Sequence, residues 1–142
     1  MARIIAIDYG RKRTGLAVTD PLQIIATPLE TVPTSDVESF LAEYLKKETV
    51  GEFVVGYPVQ MNNEPSESVK YIDPFIKRLK KLFPQIPVSL EDERFTSRIA
   101  LRTMIEGGVK KMDRRDKGLV DRISASVILQ SFLEKKKFNG KK

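Results

Sequence analysis

The sequence predicts an α/β domain built on a five-stranded mixed sheet, a three-strand antiparallel meander plus two parallel strands, with helices on both faces. Three observations point there. Arg3–Asp8 and Thr14–Thr19 are β-branched, apolar runs joined by the short glycine-containing segment Tyr9–Arg13, the pattern of an antiparallel pair. After Ser35 the apolar period changes from two to that of a helix. Phe53-Val54-Val55-Gly56 and Pro87-Val88-Ser89-Leu90 are short apolar runs, each reached across a helix, as strands buried on both faces are. The order is β-β-β-α-β-α-β-α-α, with right-handed crossovers to the last two strands.

The elements between these landmarks follow from local chemistry. Ile24–Val32 is a third strand, and Pro28 places it at the sheet edge, where a missing N–H is tolerated. Ser35-Asp36-Val37-Glu38 has capping-box spacing and opens a helix with Val37, Phe40, Leu41, Tyr44 and Leu45 on one face, ending near Gly51. Beyond a loop from Tyr57 to Pro65, a second helix carries Ile72, Phe75, Ile76, Leu79 and Leu82. Pro74 requires that helix either to begin near Asp73 or to bend. Ser97–Glu106 is a third helix, stopped by Gly107-Gly108. A charged loop from Val109 to Gly118 leads to a final helix, roughly Leu119–Lys136, expected to bury Val120, Ile123, Val127, Ile128 and Phe132. Residues 1–138 are expected to form one domain and 139–142 a disordered basic tail.

Composition narrows the chemistry. A chain of 142 residues suits one domain and is too short for two lobes closing on a cleft. With no cysteine and no histidine, it has no disulfide, no thiolate, no imidazole base and no Cys/His zinc site. Acid–base and ligand work falls to carboxylates, lysines, tyrosines and hydroxyls, and carboxylates favour hard cations such as magnesium or manganese. No apolar run approaches the length of a membrane span, and Asp8 interrupts the first apolar run too early for a signal-peptide core. A cytoplasmic protein without a membrane partner is expected. The 25 Lys+Arg against 19 Asp+Glu, a formal charge of +6, suggest a polyanionic partner.

Acids stand at three informative places. Asp8 follows Ile4-Ile5-Ala6-Ile7 where a buried strand meets a turn; capping that turn is the plainer role. Glu91-Asp92-Glu93 place three adjacent carboxylates at the end of another strand, a repulsion that asks for a cation or for neighbouring arginines. By strand alternation Glu91 and Glu93 share one face and Asp92 takes the other. Asp121 lies near the start of the last helix, where it either complements the helix dipole or reaches over the strand ends, helped by the small Ser124 and Ala125. Together these acids would converge on one sheet edge, fit to hold one or two divalent ions for phosphoryl chemistry. Arg94, Arg98, Arg102, Lys110, Lys111, Arg114, Arg115 and Lys117 cluster in the same third of the chain, and Arg11 and Lys12 follow Asp8. All are candidates for gripping a phosphate backbone, with a solvated basic face as the alternative.

Four segments in order then resemble a known family almost from end to end. Asp8-Tyr9-Gly10-Arg11-Lys12-Arg13-Thr14-Gly15-Leu16-Ala17-Val18-Thr19-Asp20, Val55-Gly56-Tyr57-Pro58, Asp92-Glu93-Arg94-Phe95-Thr96-Ser97, and Lys117-Gly118-Leu119-Val120-Asp121 with Ser124-Ala125 are similar to the YqgF family of RuvX-like Holliday junction resolvases. The resemblance implies a ribonuclease H-like fold related to RuvC and, for bacterial members, maturation of precursor 16S ribosomal RNA at its 5′ end. It implies Asp8, Glu93 and Asp121 as the catalytic, metal-binding set, selecting Glu93 over Glu91. Asp92 matches the same motif and stays open as a further ligand. Tyr9 and Tyr57 depart mildly from the expected Phe and Leu, Glu91 is an additional acid, and Pro74 interrupts a helix.

The function expected is a magnesium- or manganese-dependent nuclease acting on structured nucleic acid, precursor ribosomal RNA first and junction DNA second. It would work as a monomer or homodimer, with ribosomal particles as further partners. A two-lobed ATPase of the actin type also uses Asp-x-Gly, but the chain has room for one lobe only. A binding module without catalysis would gain nothing from carboxylates that repel phosphate.

Overall fold

The computed structural model describes residues 2–57, 69–92 and 117–139, with side chains from 2–57, 70–91 and 123–136. At its centre is β1 (Arg3–Asp8), whose Ile4, Ile5, Ala6 and Ile7 are fully buried. The sheet order is β3-β2-β1-β4-β5. β2 (Arg13–Thr19) pairs antiparallel with β1, and β4 (Val50–Tyr57) pairs parallel on its other side. β5 (Val88–Asp92) adds parallel to β4, with Asp92 opposite Tyr57. β3 (Ala26–Pro33) is an edge strand, as Pro28 predicts, and the register shifts where Pro28 meets Ala17, so the missing N–H falls at an irregularity.

Alternation along β1 sorts the core into two layers. Ile5 and Ile7 face α1 (Val37–Lys47) and α2 (Val69–Leu82), packing with Leu41, Phe53, Phe75 and Leu79. Ile4 and Ala6 face α3 (Lys117–Asn139), packing with Ala17, Val54, Ala125, Ile128, Leu129 and Leu133. Helices on both faces are therefore present. No helix among the described residues is long and apolar enough to cross a membrane.

Several local expectations are corrected. No capping box forms at α1: a 3-10 turn at Thr34–Asp36 absorbs Ser35, and Glu38 accepts a hydrogen bond from Arg78 Nε at 2.8 Å. α1 ends at Lys47, and β4 has already begun at Val50. α2 starts at Val69 and runs through Pro74, which forgoes the backbone bond to the Lys70 carbonyl. α3 is longer than expected at both ends, and its buried stripe is rotated to Ser124, Ala125, Ile128, Leu129 and Leu133. Ile123, Val127 and Phe132 are only half-buried. The small side chains turn inward because β1 and β2 offer Ala6 and Ala17 on that face, allowing a close approach. Val120 as a core side chain, the helix Ser97–Glu106, the loops beyond Tyr57 and before Gly118, and residues 140–142 lie outside the described residues.

The β2–β3 turn is organised by one carboxylate. Asp20 Oδ1 accepts the N–H groups of Ile24 and Ile25 at 2.8 and 2.7 Å, and Oδ2 accepts that of Leu22 at 3.1 Å. Gln23 is held in the left-handed region, φ 60°, by its N–H on the Asp20 carbonyl and its side-chain amide on the Ala2 carbonyl. The Ile25 N–H, with Ile24 and Leu22 behind it, holds the Asp20 carboxyl below its ordinary 3.8 against a smaller opposing effect of burial. A carboxyl depressed in the folded state stabilises fully above its unfolded value, and that contribution disappears as pH falls through the folded one. Urea unfolding at stepped pH should show a steeper acid loss for the wild type than for Asp20→Asn below about pH 4; equal slopes would remove Asp20 from this role.

Candidate active site

Asp8 ends β1 half-buried, and alternation sets it on the α3 face after Ile4 and Ala6. Its ladder partner is Gly15, followed two residues on by Ala17, so β2 presents no bulk beside it. The turn that follows is tightly constrained. A Cβ on Gly10 would collide with the Arg13 carbonyl oxygen, which explains the glycine. The Thr34 hydroxyl donates to the Gly10 carbonyl at 2.6 Å, and the Thr34 N–H donates to the Lys12 carbonyl at 3.0 Å. Tyr9 stacks on Phe75 with ring centroids 4.3 Å apart, and the Arg11 guanidinium lies 4.6 Å from the centre of the Tyr71 ring. Asp8 thus leaves a rigid strand for a turn pinned from three sides.

The parallel ladders bring the ends of β1, β4 and β5 to this same edge. There Glu91 is 4% exposed, and its Oε1 accepts hydrogen bonds from Ser131 Oγ at 3.0 Å and Lys135 Nζ at 2.6 Å. Glu91 faces α3 and binds it with a protein cation, which accounts for the additional acid in the triplet. Ser131 and Lys135 escaped the sequence reading, although an i, i+4 hydroxyl and lysine on the last helix were its visible signal. Asp92 closes β5, whereas Glu93 lies outside the described residues.

Asp121 is the fifth residue of α3, and no acid occupies the first turn, so the role of a first-turn acid complementing the dipole does not apply. The direction of α3 is set by its far end. Lys136 Nζ approaches Glu52 at 3.6 Å and Gln23 at 3.4 Å, groups beside the start of β1. Asp121 lies fifteen residues earlier, about 22 Å along the helix axis. Ser124 and Ala125, both buried, let the helix lie close to the sheet. Arg11 and Lys12 are exposed at this edge and Lys117 begins α3. Arg94, Arg98, Arg102, Lys110, Lys111, Arg114 and Arg115 lie outside the described residues.

Of the three expected metal ligands only the Asp8 side chain is described, and among the described residues no three acids, histidines or cysteines group around a metal position. The donor chemistry fits a hard divalent cation, because the sequence offers carboxylates and neither imidazole nor thiolate.

Comparison with known proteins places this edge in context. The family model described as RuvX: Holliday junction resolvase matches residues 2–135. The chain belongs to the RuvX family. It is 58% identical to a relative from Bacteroides thetaiotaomicron over 97% of this chain and 100% of that one, and 59% identical to one from Porphyromonas gingivalis over 94% and 97%. Both carry the name "Putative pre-16S rRNA nuclease". Among solved structures, T. thermophilus RuvC in complex with a Holliday junction substrate matches this RuvX protein with a TM-score of 0.56 at 18% identity, over 96% of each chain. That likeness establishes the ribonuclease H-like fold.

The Glu91 clamp makes a testable energetic statement. Lys135→Met leaves the Ser131 hydroxyl as the partner of this buried carboxylate among the described residues and should cost about 1–3 kcal/mol. The added change Glu91→Gln should return part of that loss, read as a coupling in a denaturation double-mutant cycle. Strictly additive effects would show that the pair contributes nothing.

Proposed function

We propose that this RuvX family member is a metal-dependent nuclease that hydrolyses phosphodiester bonds in precursor 16S ribosomal RNA, at its 5′ end. The supporting observation is Asp8 at the end of a strand buried on both faces, at the edge where β4 and β5 also end. The near full-length identity to relatives named for precursor 16S ribosomal RNA supports the substrate.

Asp8, Glu93 and Asp121 would hold magnesium, with manganese as a substitute. When bound, the ion supplies an activated water and charge stabilisation for an in-line displacement at phosphorus. Glu91 is excluded from that set by its engagement with Lys135 and Ser131. Alternation from Glu91 onto the α3 face supports Glu93 two residues later, and Asp92 is retained as a candidate fourth ligand. Arg11 and Lys12 hold the phosphate backbone beside the turn, and the basic residues from Arg94 to Lys117 extend that grip. One chain contains all three acids, so a monomer is sufficient. The protein acts in the cytoplasm on ribosomal precursor particles.

Cleavage of junction DNA is the second reading, favoured by the family description and the RuvC fold. Labelled precursor 16S RNA and a four-way DNA junction, each with magnesium, manganese or chelator, separate the two. The RNA should be cut with metal only, and Asp8→Asn, Glu93→Gln and Asp121→Asn should each lose at least about 100-fold in rate. Glu91→Gln should keep metal-dependent cutting. Activity in chelator, or an unchanged rate in Asp8→Asn, would overturn the site; cutting of the junction alone would transfer the substrate to DNA.

A further inference from the structure

α2 is charged on one side in a way that its packing does not require. Its inner face buries Ile72, Phe75, Ile76 and Leu79, and its outer face exposes Lys70, Lys77, Lys80 and Lys81. The other charged groups of the helix are used: Asp73 accepts the Tyr57 hydroxyl at 2.9 Å, and Arg78 binds Glu38. Among the described residues none of the four lysines forms an ion pair. α1 on the same face of the sheet is balanced instead, with Glu38 and Glu43 against Lys46 and Lys47, and Lys46 paired to Glu43 at 3.0 Å.

The position of this row matters more than its charge. α2 begins at the edge of the candidate active site, because Arg11 from the turn after Asp8 covers the Tyr71 ring and Tyr57 at the end of β4 reaches Asp73. It ends where the chain turns into β5 at Pro87. Lys70, Lys77 and Lys81, spaced by seven and then four residues, lie almost on one line along the helix, about 10 and 6 Å apart in rise. The lysines therefore continue from Arg11 and Lys12 and run away from the site.

We propose that the outer face of α2 is a second binding surface that holds a base-paired arm of the nucleic acid beyond the scissile phosphate. The proposal rests on the nuclease reading above. The 14 residues of α2 span about 21 Å; a B-form duplex advancing about 3.4 Å per base pair presents some six pairs over that length, with a phosphate charge about every 1.7 Å, and an A-form RNA duplex, which rises less per pair, presents more. A base-paired arm fits better than a single strand. Single-strand platforms stack bases on exposed aromatics, whereas the aromatic exposed on α2, Tyr71, is already covered on one face by Arg11. Contacts of this kind position the substrate without reading its sequence.

The test uses the full chain with Asp8→Asn as an uncleaving parent, and Lys70→Gln/Lys77→Gln/Lys81→Gln added to it. Binding of a labelled RNA with a single-stranded end and a duplex arm is followed by anisotropy across about 50–200 mM salt. The triple change should lower the slope of log affinity against log salt by about 2 to 3 and weaken binding at least tenfold at the upper salt. Shortening the arm from about 12 to about 3 pairs should weaken the parent and leave the triple variant unaffected. Lys46→Gln/Lys47→Gln on α1 should match the parent, and thermal melts confirm that each variant is folded. Equal slopes for parent and triple variant, or a triple-variant loss that persists on the short arm, would overturn the proposal alone. A parent that binds neither RNA would overturn the nuclease reading and this proposal with it.

Discussion

Burial of β1 from both sides is the constraint from which the other features follow. Four consecutive residues, Ile4 to Ile7, are removed from water. A carboxylate among them would cost several kcal/mol unless paired, so an acid can stand only where the strand leaves the sheet. Asp8 is at that point. The same packing that forbids an acid earlier holds this one still, since β2 and β4 pair the strand on its two edges and helices cover its two faces. The two covers differ in thickness. Ile5 and Ile7 meet Phe53 and Phe75, which hold α1 and α2 at the distance large side chains need, whereas Ala6 and Ala17 meet Ala125. α3 approaches the sheet closely on that side.

Glu91 shows how such an edge tolerates several acids. β5 is joined to the sheet only through β4, and its end would be free to move against α3 without a further tie. The Glu91 carboxylate supplies one, linking positions 40 and 44 residues apart in sequence through Ser131 and Lys135. The lysine keeps its stem along the helix and remains largely exposed, 63%, while the carboxylate is buried at 5%. That asymmetry limits the desolvation to one partner of the pair. It also removes one negative charge from the edge, so the like-charge repulsion in the acidic triplet is smaller than the sequence suggests.

The sequence disclosed the sheet well because its strands are either wholly buried or interrupted by a diagnostic residue. The run Arg3–Asp8 matched to the residue, and Pro28 indicated the edge strand. The failures were at places where a local signal met a tertiary partner. Ser35 and Glu38 have capping-box spacing, but Arg78, forty residues on, takes the glutamate. Of the two outcomes that Pro74 allowed, a start near Asp73 does not occur, because the burial of Ile72, Phe75 and Ile76 against β1 and β4 outweighs one lost backbone bond. α3 is apolar on too many sides for periodicity to choose its inner stripe, and the choice is made by the small residues opposite it. For the candidate site, Asp8 and the special demand of Gly10 were readable from the chain. The roles of Glu91, Ser131, Lys135 and Thr34 were not, because each depends on a partner that only the fold brings near.

An edge where β1 ends on Asp8 and β5 on Glu91-Asp92 poses a problem for any polyanion that must approach it. Two unit charges about 7 Å apart in water repel by roughly 0.6 kcal/mol, and each further carboxylate or phosphate adds to the barrier. Compensating cations cannot stand among the acids without quenching them, as Lys135 does to Glu91. They must lie beside the path, within the screening length of about 8 Å at physiological salt, to be felt there. Arg11 stands beside that edge, in the turn between β1 and β2. It lies three residues after Asp8, and its guanidinium is stacked on the Tyr71 ring of α2. That stacking joins it to α2. The geometry of one cation over one ring thus ties the turn after Asp8 to the lysine-bearing helix.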